Sequence, residues 1–135
     1  MSKQAYLLDT NIPSDIINNP KGKVAKRIRQ IGSNKIFTSI IVASELRFGI
    51  KKKASPKLTK NVEALLESIQ ILDFKASADE YYGEIRLSLQ KAGTPIGAND
   101  LLIAAHALAV NLVMVTNNYN KFKCVPNLQV ENWLM

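Results

Sequence analysis

Asp9, Glu45 and Asp100 stand at points of this chain where a carboxylate is costly. Asp9 closes the apolar run Ala5-Tyr6-Leu7-Leu8, Glu45 lies inside Thr38-Ser39-Ile40-Ile41-Val42-Ala43-Ser44-Glu45-Leu46, and Asp100 opens the nearly unbroken apolar stretch from Leu101 to Ala109. An unpaired charge among such neighbours is strongly disfavoured, so each acid needs a cationic partner or an open edge of the fold. A divalent cation shared by all three would satisfy them together. With Asn118 as a fourth oxygen donor, the set offers the carboxylate and amide oxygens that Mg²⁺ or Mn²⁺ prefer. A hard cation so placed polarises a phosphoryl oxygen and lowers the pKa of water, which is the chemistry of phosphodiester hydrolysis. Singly, each acid could equally be a helix cap or half of an ion pair, and spacing alone leaves their convergence open.

The charge of the chain points the same way. Eighteen Lys and Arg against 11 Asp and Glu leave a formal charge of +7, and setting aside the three acids in apolar settings makes the outer surface still more basic. Such a surface concentrates polyanions and suits nucleic acid as substrate. The basic sets are Lys21, Lys23, Lys26, Arg27 and Arg29, then Lys51, Lys52, Lys53, Lys57 and Lys60. They are read either as solvated helix ends or as RNA backbone contacts. No apolar run reaches the roughly 18 to 20 residues that span a bilayer, and Met1 to Ala5 carries no signal-peptide pattern. Cys124 is the single cysteine, which excludes an intrachain disulfide and makes a reducing cytoplasm the expected location.

The elements that must position the acids follow from periodicity. Ala5–Leu8, Lys35–Thr38, Ile71–Phe74, Leu112–Val115 and Leu128–Val130 read as short strands. Between them the pattern predicts a helix capped by Thr10 or Asn11 with Pro13 in its first turn, and others over Lys23–Ile31 and about Ile40–Ile50. A further helix opens at Pro56, another runs about Ala78–Lys91 with Ser77 and Glu80 as a capping box, and a central one covers Ala98–Ala109. Asn118–Lys121 reads as a single turn. Strands alternating with helices predict one domain over residues 1–135, an α/β/α sandwich on a short, mostly parallel sheet of about five strands. Ligands collect at the carboxyl ends of such strands, which places Asp9 and Thr116-Asn117-Asn118 at one edge.

Tyr6-Leu7-Leu8-Asp9-Thr10-Asn11 followed by Thr38-Ser39-Ile40-Ile41-Val42-Ala43-Ser44-Glu45-Leu46-Arg47-Phe48-Gly49 resembles the PIN-domain family. Pro95-Ile96-Gly97-Ala98-Asn99-Asp100-Leu101-Leu102-Ile103-Ala104-Ala105-His106-Ala107, then Val115-Thr116-Asn117-Asn118 and the ending Val130-Glu131-Asn132-Trp133, narrow the resemblance to VapC-type toxins. The ordered set spans essentially the whole chain. The resemblance implies an endoribonuclease requiring Mg²⁺ or Mn²⁺, a homodimer, and a VapB-type antitoxin that covers the acidic pocket and carries any DNA binding. It implies metal ligation by Asp9, Glu45 and Asp100, directly or through water, with Thr10, Asn11, Ser39 and Thr116 holding those acids in place. Many members carry a fourth acid where this chain has Asn118; a neutral amide offers one carbonyl oxygen and no charge, which favours one tight metal over two. Pro13 also departs from the apolar or small residue usual there.

Other residues are set aside. His106 is the lone histidine, which excludes multi-histidine metal sites. Six residues beyond Asp100, it points about 120° away at 3.6 residues per turn and reads as a packing residue. Cys124 reads as an idle or structural thiol; Arg47 and Arg86 are candidates to neutralise phosphate at the rim. Tyr81, Tyr82 and Trp133 read as packing rather than base-stacking residues. Two other functions fit some of the residues. One is an RNA-binding module that keeps the fold and has lost turnover through Asn118. The other is a phosphatase using Asp9 as nucleophile, disfavoured because its usual proton-donating acid two residues on is Asn11.

Overall fold

A computed structural model describes residues 4–134, so Met1 to Lys3 of the N-terminal stretch discussed above lie outside it. Five strands, β1 (Tyr6–Leu8), β2 (Ile36–Ser39), β3 (Gln70–Leu72), β4 (Val113–Val115) and β5 (Val130–Glu131), form one sheet in the order β3-β2-β1-β4-β5. Every pairing is parallel; Leu8 lies opposite Thr38 on one side and Val115 on the other. Successive strand residues face opposite ways. Leu7 and Met114 therefore enter one core, while Leu8, Val115 and Ile36 enter a second.

The helices cover both faces. The first core receives Val42 and Leu46 from α3 (Ile40–Lys53), Leu66 from α4 (Pro56–Ser68), Leu89 from α5 (Ala78–Lys91) and Ala104 from α6 (Ala98–Val110). The second receives Ile12 from α1 (Asn11–Asn18), Val24 from α2 (Lys23–Ile31), and Trp133, whose ring meets Tyr6 edge-on at 5.0 Å between centroids. The three-layer α/β/α architecture expected from the alternation of elements is the one observed. Trp133 is 3% exposed, in keeping with a packing role.

Several local expectations change: the last strand, expected over Leu128–Val130, is Val130–Glu131, and the turn expected over Asn118–Lys121 is Tyr119–Phe122. Gln70 joins the third strand and Asp73 and Phe74 leave it. Ser77 does not cap α5: it sits at φ 81°, and its side chain makes no capping bond. Thr10 precedes α1 without capping it, because its hydroxyl is used elsewhere.

The sheet order matters for function. The chain moves outward from β1 through β2 to β3, then returns to the other side of β1 with β4. The direction of winding reverses between β1 and β4, and a crevice at the carboxyl ends of such a pair is where open α/β sheets bind ligands. Asp9 follows β1 and Thr116 follows β4.

Candidate active site

Asp9 is the centre of the site and only 4% exposed. Its backbone N–H donates to the Val115 carbonyl at 2.9 Å, extending the β1–β4 ladder by one bond and pinning the residue at the crevice. The Thr10 N–H donates to Oδ1 at 2.8 Å and the buried Thr116 hydroxyl to Oδ2 at 2.8 Å. Burial raises the carboxyl pKa above its ordinary 3.8; those two hydrogen bonds pull it down, and the charges of Asp100 and Glu45 push it up again. Asp9 therefore lies in the field of both other acids, and Thr10 bonds to it and to Glu45.

Glu45 reaches the crevice from the second turn of α3. Its Oε1 accepts from the Thr10 hydroxyl and its Oε2 from Asn99 Nδ2 at 3.0 Å. Thr10 thus bridges two acids, its amide on Asp9 and its hydroxyl on Glu45, which explains why α1 starts without a side-chain cap. Asp100 lies in the first turn of α6, where the helix dipole favours an anion. A methyl group on Gly97 would lie 3.3 Å from its Oδ2, so the chain passes close to this carboxylate. Oδ2 also pairs with Lys121 Nζ at 3.0 Å, from the single-turn α7 (Tyr119–Phe122).

Other expected members stand differently. Ser39 does not hold an acid: its Oγ accepts from Ile41 N at 3.0 Å, capping α3, and lies 2.7 Å from His106 Nδ1. Asn11 exchanges hydrogen bonds with Asn117 and so ties α1 to the end of β4 instead of touching a carboxylate. Asn118 takes part through its backbone, whose N–H donates to Thr116 Oγ1 at 3.0 Å while its side chain is exposed. Arg47 pairs with Glu63 at 3.0 Å and Arg86 donates to the Tyr82 hydroxyl at 3.0 Å, so neither bonds to a site acid.

Asn99 and Lys121 are the members that sequence reading passed over. Asn99 carried a signal, since it is a polar residue beside Asp100 at the start of an otherwise apolar helix. Lys121 carried none, because only folding brings α7 beside α6.

The donor set tests well for a hard divalent cation. It consists of carboxylate oxygens, and among the described residues no cation is ion-paired with Asp9 or Glu45. A desolvated carboxylate repelled by two others is a site that a cation relieves. Among the described residues no three His, Cys, Asp or Glu side chains are already drawn together as a ready metal cage. Ligation would therefore require the acids to close from their present hydrogen-bonded positions.

Comparison with known proteins is consistent with this geometry. The PIN-domain model matches residues 6–128, and the chain belongs to the PIN-domain family. Within that family it is a VapC protein. It is 42% identical over 130 residues to ribonuclease VapC2 of Rickettsia felis, covering 95% of this chain and 97% of that one. It is 33% identical over 129 residues to the tRNA(fMet)-specific endonuclease VapC of Salmonella typhimurium, covering 95% and 97%. Among solved structures, the Rickettsia felis VapBC2 complex with a promoter DNA fragment matches with a TM-score of 0.89 at 41% identity over 96% of this chain and 99% of that chain. The DNA-bound VapBC of Salmonella typhimurium matches with a TM-score of 0.86 at 32% identity, over 96% and 98%.

Proposed function

We propose that this protein is a metal-dependent endoribonuclease, the toxin of a VapBC-type toxin–antitoxin pair. The observation that carries the reading is Asp9: a buried carboxylate that no cation among the described residues pairs with, at the reversal point of the sheet, under the field of two further acids. Asp9 and Asp100 would hold one Mg²⁺ or Mn²⁺, with Glu45 contributing directly or through water. Bound there, the ion supplies charge to a phosphoryl oxygen and acidifies water for in-line attack on an RNA phosphodiester.

The chain's own residues do the positioning. Thr116 and the Thr10 amide orient the two oxygens of Asp9; Thr10 and Asn99 orient Glu45. Thr116 is itself oriented by the Asn118 N–H, so the loop after β4 fixes the Asp9 carboxylate through one hydroxyl. Asn118 adds no charge, which supports one tightly held ion. The surplus of Lys and Arg draws the RNA backbone to the protein, and the substrate class is structured RNA, a transfer RNA or ribosomal RNA loop.

The partner reading rests on a cleft of about 300 Å³ that runs from the site between α1, α3 and α4. Thr10 and Glu45 of the site line it together with Ser14, Asn18 and Lys53, and Ile17, Leu46, Leu58 and Val62 give it apolar surface. An amphipathic antitoxin helix fits such a groove, and a basic side chain at its end would meet the acids in place of the metal. DNA contact then comes through the antitoxin. Phe48 and Leu87 are 68% and 52% exposed, apolar surface suited to a second chain in a homodimer. A cytoplasmic location is part of this proposal, in keeping with the single cysteine; among the described residues no helix is long and apolar enough to cross a membrane.

Induced expression tests the reading. Wild type arrests growth and leaves discrete new RNA 5′ ends, whereas Asp9→Asn does neither. Equal toxicity of the two removes Asp9 from its role.

A further inference from the structure

Lys121 is, among the described residues, the one cation ion-paired with a site acid. Its backbone is held firmly. Phe122 beside it is fully buried, the Lys121 N–H donates to the Asn118 carbonyl at 3.1 Å, and the Asn118 N–H leads through Thr116 Oγ1 to Asp9. The side chain is held only at its tip: it is 39% exposed and bonds to Asp100, itself 26% exposed. A long flexible ammonium on a fixed base can serve two anions in turn.

We infer that Lys121 is a substrate-contacting cation of this site, neutralising Asp100 in the metal-free chain and turning to an RNA phosphate when a divalent ion takes that carboxylate. The inference rests on the metal-dependent reading above. An exposed ion pair is weak, so a divalent ion shared by two carboxylates displaces it. Lysine is a compact point charge that suits phosphate without needing the planar, two-pronged approach of arginine. The arginines named for this role are engaged elsewhere, Arg47 by Glu63 and Arg86 by Tyr82.

Two variants of the full chain test it: Lys121→Met keeps the length and removes the charge, and Lys121→Arg keeps the charge. Mn²⁺ binding is measured first by calorimetry without RNA. Lys121→Met should bind Mn²⁺ about three- to tenfold tighter than wild type, because a competing, repelling charge is gone. Binding of unfractionated transfer RNA is then measured across a salt series in Ca²⁺, a second hard cation that takes oxygen ligands. Lys121→Met should bind this RNA about three- to tenfold more weakly, with a log–log salt slope shallower by about 1, and Lys121→Arg should recover both.

Unchanged or weaker Mn²⁺ binding by Lys121→Met overturns the exchange of partners. Unchanged RNA affinity and salt slope overturns the phosphate contact. If wild type binds no Mn²⁺, the metal reading itself falls and takes this inference with it. Wild-type Mn²⁺ binding with an unaltered Lys121→Met affinity overturns the inference alone.

Discussion

Asp9 is held at a cost to the metal-free fold. Its carboxyl has an ordinary pKa of 3.8 in the unfolded chain and a higher one in the folded chain, chiefly through burial. Between those values the native state binds more protons than the unfolded state, so this group's contribution to stability declines as pH rises through that window. At neutral pH the full cost is present. Asp9→Asn keeps an acceptor for the Thr10 amide and removes the charge, so it should abolish RNA cleavage yet raise the melting temperature of the metal-free protein. The gain expected is about 3 °C, the equivalent of about 1 kcal/mol for a domain of this size, and a thermal scan beside a cleavage assay checks it. Proton competition adds a second expectation. Mn²⁺ affinity should begin to fall, as the solution is acidified, at a higher pH than an ordinary aspartate would require, and calorimetry at a series of pH values reads this directly.

At the scale of elements, the helices that carry Glu45 and Asp100 are joined twice, by Asn99 donating to Glu45 and by a contact at the N-cap of α3. Ser39 caps α3, and its hydroxyl also meets His106 Nδ1, which projects from α6. His106 is 1% exposed, with its ring set edge-on to Phe74. Ser39→Ala removes the cap and leaves a buried ring nitrogen without its partner. A loss of about 2 to 3 kcal/mol follows from the two effects, measurable by urea unfolding. Burial also lowers the His106 pKa from 6.5, with the nearby Asp73 opposing the shift. The unfolded chain then takes up a proton that the native chain resists, so the His106 contribution to stability is constant above pH 6.5 and declines as pH falls below it. The urea midpoint of wild type should drop on acidification through this range, and His106→Gln should flatten that part of the profile.

At the scale of the whole molecule, charge is divided by place: acids gather in the crevice, and bases dominate elsewhere. Lys51, Lys52 and Lys53 end α3, where cations complement the helix dipole and all three are exposed. Replacing the three with serine should cost about 1 kcal/mol of stability, through the lost dipole interaction and weaker helix propensity. It should weaken binding of transfer RNA at low salt and make its log–log salt slope shallower by up to about 3, because fewer counterions are released. An unchanged slope would show that RNA approaches along another face.

Much of this molecule was legible in its residues, and for physical reasons. Apolar runs bounded by Gly, Pro and Asn located the strands and helices, since burial periodicity is a local property; α2 begins and ends where the pattern placed it. The acids announced themselves because charge in an apolar run is costly anywhere. Which strand lies beside which, and hence that β1 and β4 form the crevice, was decided only by the tertiary structure. So were the partners of each polar group. Thr10 looks like a helix cap until Glu45 arrives from thirty-five residues away, and Ser39 and Asn11 resemble supports of an acid until folding offers them His106 and Asn117. Lys121 shows the division most plainly: its neighbours in the chain suggest a solvated surface residue, and its place beside Asp100 exists only because α7 packs next to the start of α6. Sequence spells out the cost of each residue in water or in a core, but hydrogen bonds and ion pairs depend on distances in space, which chain order does not contain.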